Sequence, residues 1–488
     1  MTQDVVAAID QGTTGTTVLL LDGAERIVGR AYREIPQHYP RPGWVEHDPE
    51  DLYRSVIEAL TEARSTAGNP AVQAVGITNQ RETTVLWDRQ TGVAVAPAIV
   101  WQDRRTQEAC ATLRAAGHEA LIREKTGLVL DPYFSATKIA WLLEQQPVLR
   151  TRAARGEIAF GTVDSFLAFR LTGGRAHITD ATNASRTLLF DLRTLAFSPE
   201  LCALFNVPMT ILPRVVASSG TLASLMGVPG LADGTPLCGI AGDQQAALYG
   251  QGCLAPGDAK CTYGTGAFLL MNVGKTVVLS RNRLLTSVAW QRPDGTDYAL
   301  EGSAFVSGAL VQWLRDGLGI IGAASEIEPL AASVPDSGGV TIVPALAGLG
   351  APHWRPEARG LISGITRGTT RAHLARAALE AMALQIVELV RAMEADAGRT
   401  LTALRVDGGA AANNLLLQIQ ADLLGVDVVR PEIVESTALG AGRLAGEAIG
   451  FFSTETRPPL PSTTFAPRMA VAERNERYSR WQQSVAKA

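Results

Sequence analysis

Four short polar runs, spread from one end of the chain to the other, hold the residues that could do chemistry. Ile9-Asp10-Gln11-Gly12-Thr13-Thr14-Gly15-Thr16-Thr17 stands near the start, and Ala241-Gly242-Asp243-Gln244-Gln245 and Tyr263-Gly264-Thr265-Gly266 stand in the middle. Val406-Asp407-Gly408-Gly409-Ala410-Ala411-Ala412-Asn413-Asn414 comes late. Each follows an apolar run and supplies backbone N–H groups, hydroxyls or a carboxylate. Those are the groups that hold polyphosphate, Mg²⁺ and a hydroxyl nucleophile together. The pattern predicts phosphoryl transfer from a nucleotide, built across two domains.

Taken singly, each run has a plainer reading. Asp10 with Gly12-Thr13-Thr14-Gly15 reads as a metal carboxylate ahead of a phosphate-holding loop, or as an ordinary hairpin. Gly264-Thr265-Gly266 is a common small-polar-small turn, but paired with the first loop it could clamp the other end of a triphosphate. Gly408-Gly409 before a helix reads equally as close approach to a ligand and as helix–sheet packing. Asp243, at the end of the apolar run Leu237 to Ala241, is a candidate general base and also a candidate N-cap for a helix from Gln244 to Tyr249. Arg81-Glu82 would ordinarily face solvent, yet lies between two apolar segments where neighbouring polar groups could bind a polyol. Trp101 and Tyr133-Phe134 have the composition of core. Two letter matches fail. Gly274-Lys275-Thr276 ends like a Walker A loop, but Leu269 stands where that loop needs glycine. Gly317 to Gly322 spells a dinucleotide fingerprint but follows a helical run, Val311 to Arg315, rather than a strand. The histidines have no metal spacing, and no nucleophile elbow supports a hydrolase.

The elements that must position these groups follow from hydrophobic period and punctuation. Val5 to Asp10, Val18 to Asp22 and Arg26 to Tyr32 read as a β-meander with the threonines at its first turn. Asp48-Pro49 opens a helix to Ala67, and Val72 to Thr78 is another buried strand. After Gly250 the grammar repeats: Asp258 to Thr262 and Phe268 to Val273 flank the Gly-Thr-Gly turn. Leu374, Ala378, Leu379, Met382, Ile386, Leu389, Val390 and Met393 mark a helix from Arg371 to Glu394. Leu404 to Val406 then leads through the glycine pair to a helix from Asn414 to Leu424. The reading is an α/β chain of two domains, 1–250 and 251–488, with the tail after Gly450 as a surface wrap.

At 488 residues the chain exceeds one hydrophobic core, which itself argues for two domains. A net charge of −4 and the absence of a basic patch exclude a nucleic-acid surface. No apolar stretch reaches the roughly 18 residues of a membrane span, and Met1-Thr2-Gln3-Asp4 carries no leader signature. Five cysteines, odd in number and widely spaced, predict neither a zinc site nor a disulfide framework. These features predict a cytoplasmic enzyme with no membrane insertion, and leave room for a homo-oligomer.

Read in order, the runs resemble the FGGY carbohydrate kinases of the actin/Hsp70-like superfamily, and among them the glycerol kinases. The resemblance extends over nearly the whole chain. It rests on the four runs above and on Gly43-Trp44-Val45-Glu46-His47-Asp48-Pro49, Asn79-Gln80-Arg81-Glu82-Thr83-Thr84, Ile99-Val100-Trp101-Gln102 and Asp131-Pro132-Tyr133-Phe134-Ser135. It implies two ribonuclease-H-like domains, each a mixed sheet flanked by helices, with ATP, Mg²⁺ and glycerol in the cleft between. Asp243 would be the general base. Arg81, Glu82, Tyr133 and Gln244 would hold the glycerol hydroxyls, with Asp243, and Trp101 and Phe268 would pack on its carbons. Thr13, Thr14, Gly15, Gly264, Thr265 and Gly266 would hold phosphates, and Asp10 the metal's water shell. Gly308, Gln312, Gly409 and Asn413 would line the adenosine pocket. The chain departs from the family at Thr17, where an arginine is common, and at Asp233-Gly234-Thr235-Pro236, which lacks the arginine of members inhibited by fructose 1,6-bisphosphate. Two rivals remain: the same fold acting on another small polyol or ketose, and a non-catalytic nucleotide switch of the actin or chaperone type.

Overall fold

Two sheets carry the chain, and they use one hydrogen-bonding plan twice. In the computed structural model, residues 4–355, 357–433, 435–458 and 460–488 are described. Met1 to Gln3, on which the absence of a leader was read, lie outside them. The first sheet is six-stranded: β1 (Val5–Gln11), β2 (Gly15–Leu21), β3 (Ile27–Glu34), β4 (Val72–Asn79), β5 (Ser219–Ser224) and β6 (Pro236–Gly242), in the order β5-β6-β4-β1-β2-β3. The second is seven-stranded: β7 (Ala259–Tyr263), β8 (Ala267–Gly274), β9 (Leu285–Arg292), β10 (Gly295–Ala304), β11 (Ala403–Asp407), β12 (Asp427–Pro431) and β13 (Ser462–Phe465). Its order is β9-β10-β8-β7-β11-β12-β13. In each, an antiparallel central hairpin (β1/β2, β7/β8) is extended on one side by an antiparallel strand and on the other by two parallel ones. Parallel strands need covered faces, and both sheets have them.

The covering helices are α1 (Pro49–Thr66), α2 (Asp243–Gly250), α3 (Gly308–Asp316), α4 (Arg371–Ala397), α5 (Asn414–Leu424), α6 (Ser436–Ala448) and α7 (Val471–Val485). Asp48 caps α1 as its sequence predicts, accepting from the Glu50 N–H at 2.9 Å. The helix then buries Leu52, Val56, Ala59, Leu60 and Ala63 against Val5, Ala7 and Ile9 of β1. Each of the leucines and the valine contributes about 1.5–3 kcal/mol of burial. The opposite face of the first sheet is covered by α6, whose Ala438, Leu439 and Ala445 meet Val6, Ala8, Leu19 and Leu21. The α6 helix crosses α2 at backbone distance, because a Cβ on Gly440 would lie 1.8 Å from the Ala246 carbonyl oxygen. Late sequence thus packs on the early sheet.

Three features differ from the sequence reading. The α4 helix is buried far more widely than one stripe, since Ala375, Ala377, Ala381, Ala383, Leu384 and Val387 are covered as well. The tail is more than a wrap: β13 pairs with β12 and adds the last strand of the sheet, and α7 buries Tyr478 and Trp481. Between β4 and β5 the chain also builds a lobe with its own core, including Leu86, Ile99, Phe134, Ile139, Phe160 and Leu188, which no periodicity announced. Among the described residues no helix is long and apolar enough to cross a membrane.

Candidate active site

The site is built where strand ends of both sheets meet the lobe. At the end of β4 the chain leaves Asn79 and Gln80 and turns sharply, with Glu82 in the left-handed region at φ 60°. That conformation costs a non-glycine residue roughly 1 kcal/mol or more, and here it is held from both sides. Ser135 Oγ donates to the Glu82 carbonyl at 3.0 Å, and Thr83 Oγ1 donates to Gln80 Oε1 at 2.8 Å. The strained turn drives Arg81 and Glu82 inward, where both are buried. Adjacent opposite charges usually stay in water; these do not.

Arg81 is the hub. Its Nε lies 3.2 Å from Asp243 Oδ1, Nη1 donates to Glu301 Oε2 at 2.6 Å, and Nη2 donates to Glu301 Oε1 at 3.0 Å. Nη1 also reaches Gln245 Oε1 at 3.2 Å, and Nη2 reaches the Tyr133 hydroxyl at 3.4 Å. Glu82 is held by Arg186, whose Nε donates to Oε1 at 2.6 Å, and Arg186 Nη2 donates to Glu301 Oε1 at 3.2 Å. Burial pushes Glu82 above the ordinary glutamate range against the pull of both arginines. For Glu301 burial acts the same way, but Arg186 and Arg81 win and hold its carboxyl down at about 2.

Asp243 opens α2 as its first helical residue; Gly242 is the cap, and Asp243 Oδ1 accepts from the Gln244 N–H at 2.7 Å. Thr182 Oγ1 accepts from the Gly242 N–H at 2.8 Å and ties this strand end to the lobe. Both contacts to Asp243 fall on Oδ1, and its side chain keeps 31% of its surface exposed. Asp10, at the end of β1, is close enough that the Asp243 charge adds to burial in pushing its carboxyl up to about 7. Two carboxylates therefore lie near each other, with no cation on Asp10 among the described residues.

Aromatic rings from both halves line the same place. Trp101 stands edge-on to Tyr133 at 5.5 Å and to Phe268 of the second sheet at 6.4 Å. Trp101 Nε1 donates to Thr13 Oγ1 at 2.9 Å, so this indole joins the threonine loop to the apolar wall. Gln244 turns elsewhere: its Oε1 accepts from Lys260, whose Nζ also donates to Thr262 Oγ1 at 2.8 Å. Burial lowers the Lys260 ammonium's pKa, against the pull of Asp407 and Asp243.

The second turn is a scaffold of backbone bonds. Gly264 N–H donates to Gly266 O at 2.8 Å, as Gly12 N–H donates to Gly15 O at 2.9 Å in the first. The start of α3 is seated on it, with Ser307 N–H donating to Thr265 O at 2.8 Å and Gly308 N–H to Gly264 O at 3.0 Å. A Cβ on Gly308 would come within 2.7 Å of that Gly264 oxygen. Gln312, one turn on, is exposed. At the late turn Gly408 packs under the Tyr263 backbone at φ 86°, whereas a Cβ on Gly409 would meet nothing within 4 Å. Gly408 is thus tied to the β7 backbone, and Gly409 has open space beside it. Asn413 caps α5, accepting from the Leu416 N–H at 2.8 Å through Oδ1.

The comparisons with known proteins fit this arrangement. Residues 5–250 match the N-terminal domain model of the FGGY family of carbohydrate kinases, and residues 259–449 match the C-terminal one. The chain belongs to the FGGY family of carbohydrate kinases. This FGGY kinase is 56% identical over 485 residues to a glycerol kinase of Dechloromonas aromatica, covering 98% of this chain and 96% of that one. It is 54% identical over 485 residues to a glycerol kinase of Alkalilimnicola ehrlichii, covering 99% and 98%. Its fold matches the crystal structure of Plasmodium falciparum glycerol kinase with ADP at a TM-score of 0.95 and 35% identity, covering 99% and 98%. Sequence reasoning missed Glu301, Arg186, Gln245 and Lys260 of this kinase's site. One signal was present: Glu301 directly follows the apolar run Tyr298-Ala299-Leu300, and a charge at the end of such a run needs a partner.

Proposed function

We propose that this kinase transfers the terminal phosphoryl group of ATP to a terminal hydroxyl of glycerol, giving sn-glycerol 3-phosphate, with Asp243 as the general base. The carrying observation is the joining of Asp243, Arg81, Glu82 and Tyr133 through one ion-pair network beside the Trp101 and Phe268 rings. That combination offers a small polyol both charged acceptors and donors and an apolar wall. The glycerol kinase relatives at more than half identity support the choice of acceptor.

On this reading Arg81 and the Tyr133 hydroxyl orient glycerol, and Glu82 accepts from one of its hydroxyls. Arg81 and the Gln244 N–H occupy Asp243 Oδ1. Oδ2 receives no hydrogen bond from a described residue, and it takes the proton as the hydroxyl oxygen bonds to phosphorus. ADP leaves as the bond from its β-phosphate oxygen to that phosphorus breaks. Thr13 suits a phosphate, because its Oγ1 accepts from Trp101 and its own proton is left to donate. Thr14, Gly15 and the Gly264-Thr265-Gly266 turn complete the phosphate side, and Gly308, Gln312, Gly409 and Asn413 the adenosine side. The open space above Gly409 fits that role. Asp10, which receives no hydrogen bond and no cation from a described residue, fits the water shell of Mg²⁺. Among the described residues no cluster of three or more histidine, cysteine or carboxylate side chains is built for a metal. A cation held through one or two carboxylates, water and phosphates needs none. When bound, Mg²⁺ neutralises charge on the phosphates. The division near Gly250 belongs to the same proposal, with acceptor groups mostly before it and nucleotide groups after it.

The test is ADP formation from Mg-ATP with glycerol, beside erythritol, dihydroxyacetone, xylulose, ribulose and no acceptor. A rate with glycerol far above the rest is expected. A higher rate with another acceptor moves the substrate within the fold, and nucleotide binding without stimulation by any acceptor overturns the base assignment.

A further inference from the structure

Glu301 comes from the second sheet yet holds two arginines of the first half. Its oxygens receive Arg81 Nη1 and Nη2 at 2.6 and 3.0 Å and Arg186 Nη2 at 3.2 Å. The residue is 1% exposed, and its strand neighbours in register are Leu270 and Leu285. A carboxylate between two leucines is expensive to bury, and only the two buried arginines it holds offset that cost. Packing therefore does not explain it.

Geometry does. Without Glu301 the remaining carboxylates near Arg81 are Asp243 at 3.2 Å and Glu82 at 3.8 Å. Arg81 would close on both, occupying the groups the acceptor needs. Arg186 would likewise keep only Glu82, with Nη1 and Nη2 both unpaired among the described residues. We propose that Glu301 is a positioning residue for the acceptor pocket: it draws the Arg81 and Arg186 guanidinium groups toward the second sheet, leaving Asp243 Oδ2 and Glu82 open to the substrate. The proposal rests on the acceptor reading above. It makes the charges of the acceptor pocket, as well as the Phe268 wall, depend on the second sheet.

The experiment is steady-state kinetics of the full-length protein and its Glu301→Gln variant, with thermal melting alongside. Loss of the charge is expected to raise KM for glycerol about thirtyfold, lower kcat by less than about fivefold and leave KM for Mg-ATP within about twofold. Glu301→Asp keeps the charge with a shorter reach and should recover part of the glycerol KM. Glu25→Gln is the control. It breaks another buried pair, Glu25 with Arg443 at 2.7 Å, and should lower the melting temperature without moving the glycerol KM. An unchanged glycerol KM in Glu301→Gln, or glycerol and ATP constants that rise together, overturns the proposal. If Glu301→Gln does not fold, Glu301→Asp decides by the same two criteria. Should the unmodified protein prefer another acceptor, the acceptor reading fails and Glu301 is judged on that acceptor's KM. If no acceptor stimulates it, both readings fall.

Discussion

The central hairpins of the two sheets share a backbone and exchange their side chains. On β1, Asp10 stands in register with Thr17 of β2 and Thr78 of the parallel strand β4. On β7 the corresponding place is Thr262, in register with Phe268 of β8 and Asp407 of the parallel strand β11. The carboxylate and the threonine have traded strands. Asp10 receives no hydrogen bond from a described residue. Asp407 is buried, with Oδ2 accepting from Gln251 Nε2 at 2.7 Å and from Ser436 Oγ. One backbone plan therefore leaves a carboxylate without a hydrogen bond from a described residue in the first half and a bonded one in the second. Where Thr17 stands beside Asp10, Phe268 stands beside Thr262. A duplicated sheet sets where groups can stand; on the function proposed above, the side chains at each register give the chemistry to the first half and the nucleotide to the second.

The sharpest break of this division is at Asp243. Asp243→Asn should lower kcat about 10³-fold or more, while nucleotide affinity measured by calorimetry stays within about threefold. Equal loss of both would dissolve the distinction between halves.

A second asymmetry is ionic. The first half encloses His177, whose Nε2 lies 2.7 Å from the Phe160 carbonyl and whose ring stacks edge-on against Trp87. Burial lowers its pKa to about 4, despite that hydrogen bond. The second-half histidines, His353 and His373, keep part of their surface in solvent. On acidification the unfolded chain takes up a proton at His177 near pH 6.5 and the folded one does not. Stability is thus present above pH 6.5 and lost as pH falls toward 4, by up to about 3 kcal/mol. Asp10 and His47 are also shifted in this range, so the contribution is read as a difference: the slope of denaturant midpoints against pH should be less positive in His177→Gln than in the unmodified protein. Identical slopes in the two proteins would show that His177 contributes none of it.

The exchanged carboxylates can be compared directly. Asp10→Asn should cut kcat about a hundredfold without lowering the melting temperature. Asp407→Asn should lower the melting temperature, through about 2 kcal/mol of lost charge-assisted hydrogen bonding, with a smaller effect on kcat. Identical phenotypes would mean that register, not side chain, governs.

The smallest expected effect lies in the second half, on the proposed nucleotide side. Gly308→Ala places a methyl group 2.7 Å from the Gly264 carbonyl oxygen and must displace α3 from the turn. KM for Mg-ATP should rise about tenfold, with the glycerol KM unchanged. A rise in the glycerol KM instead would show the turn serving the acceptor.

Much of this was legible in the chain. Asp48-Pro49 predicted the start of α1, and Asn413-Asn414 the start of α5, because caps and turns are decided by neighbours within four residues. Asp10, Thr13, Arg81 and Asp243 could be singled out since each sits at the end of an apolar run, and a polar group at a buried strand's end usually faces a rim. Gln244 could be named from the same pattern, while Gln245, whose Oε1 accepts from Arg81, could not; Gln244 Oε1 accepts from Lys260. Adjacent residues at a helix start point in different directions, and spacing alone does not say which faces the cleft.

What the sequence determined by itself was local: apolar periods, caps, glycine turns and the order in which polar runs arrive. The tertiary structure decided the rest. Glu301 meets Arg81 across 220 residues of chain, and Arg186 meets Glu82 across 104. No short-range pattern encodes such pairs. They exist because two sheets and a lobe, each folded by its own apolar core, come to rest with their charged residues in one dry space, where every buried charge must find an opposite one.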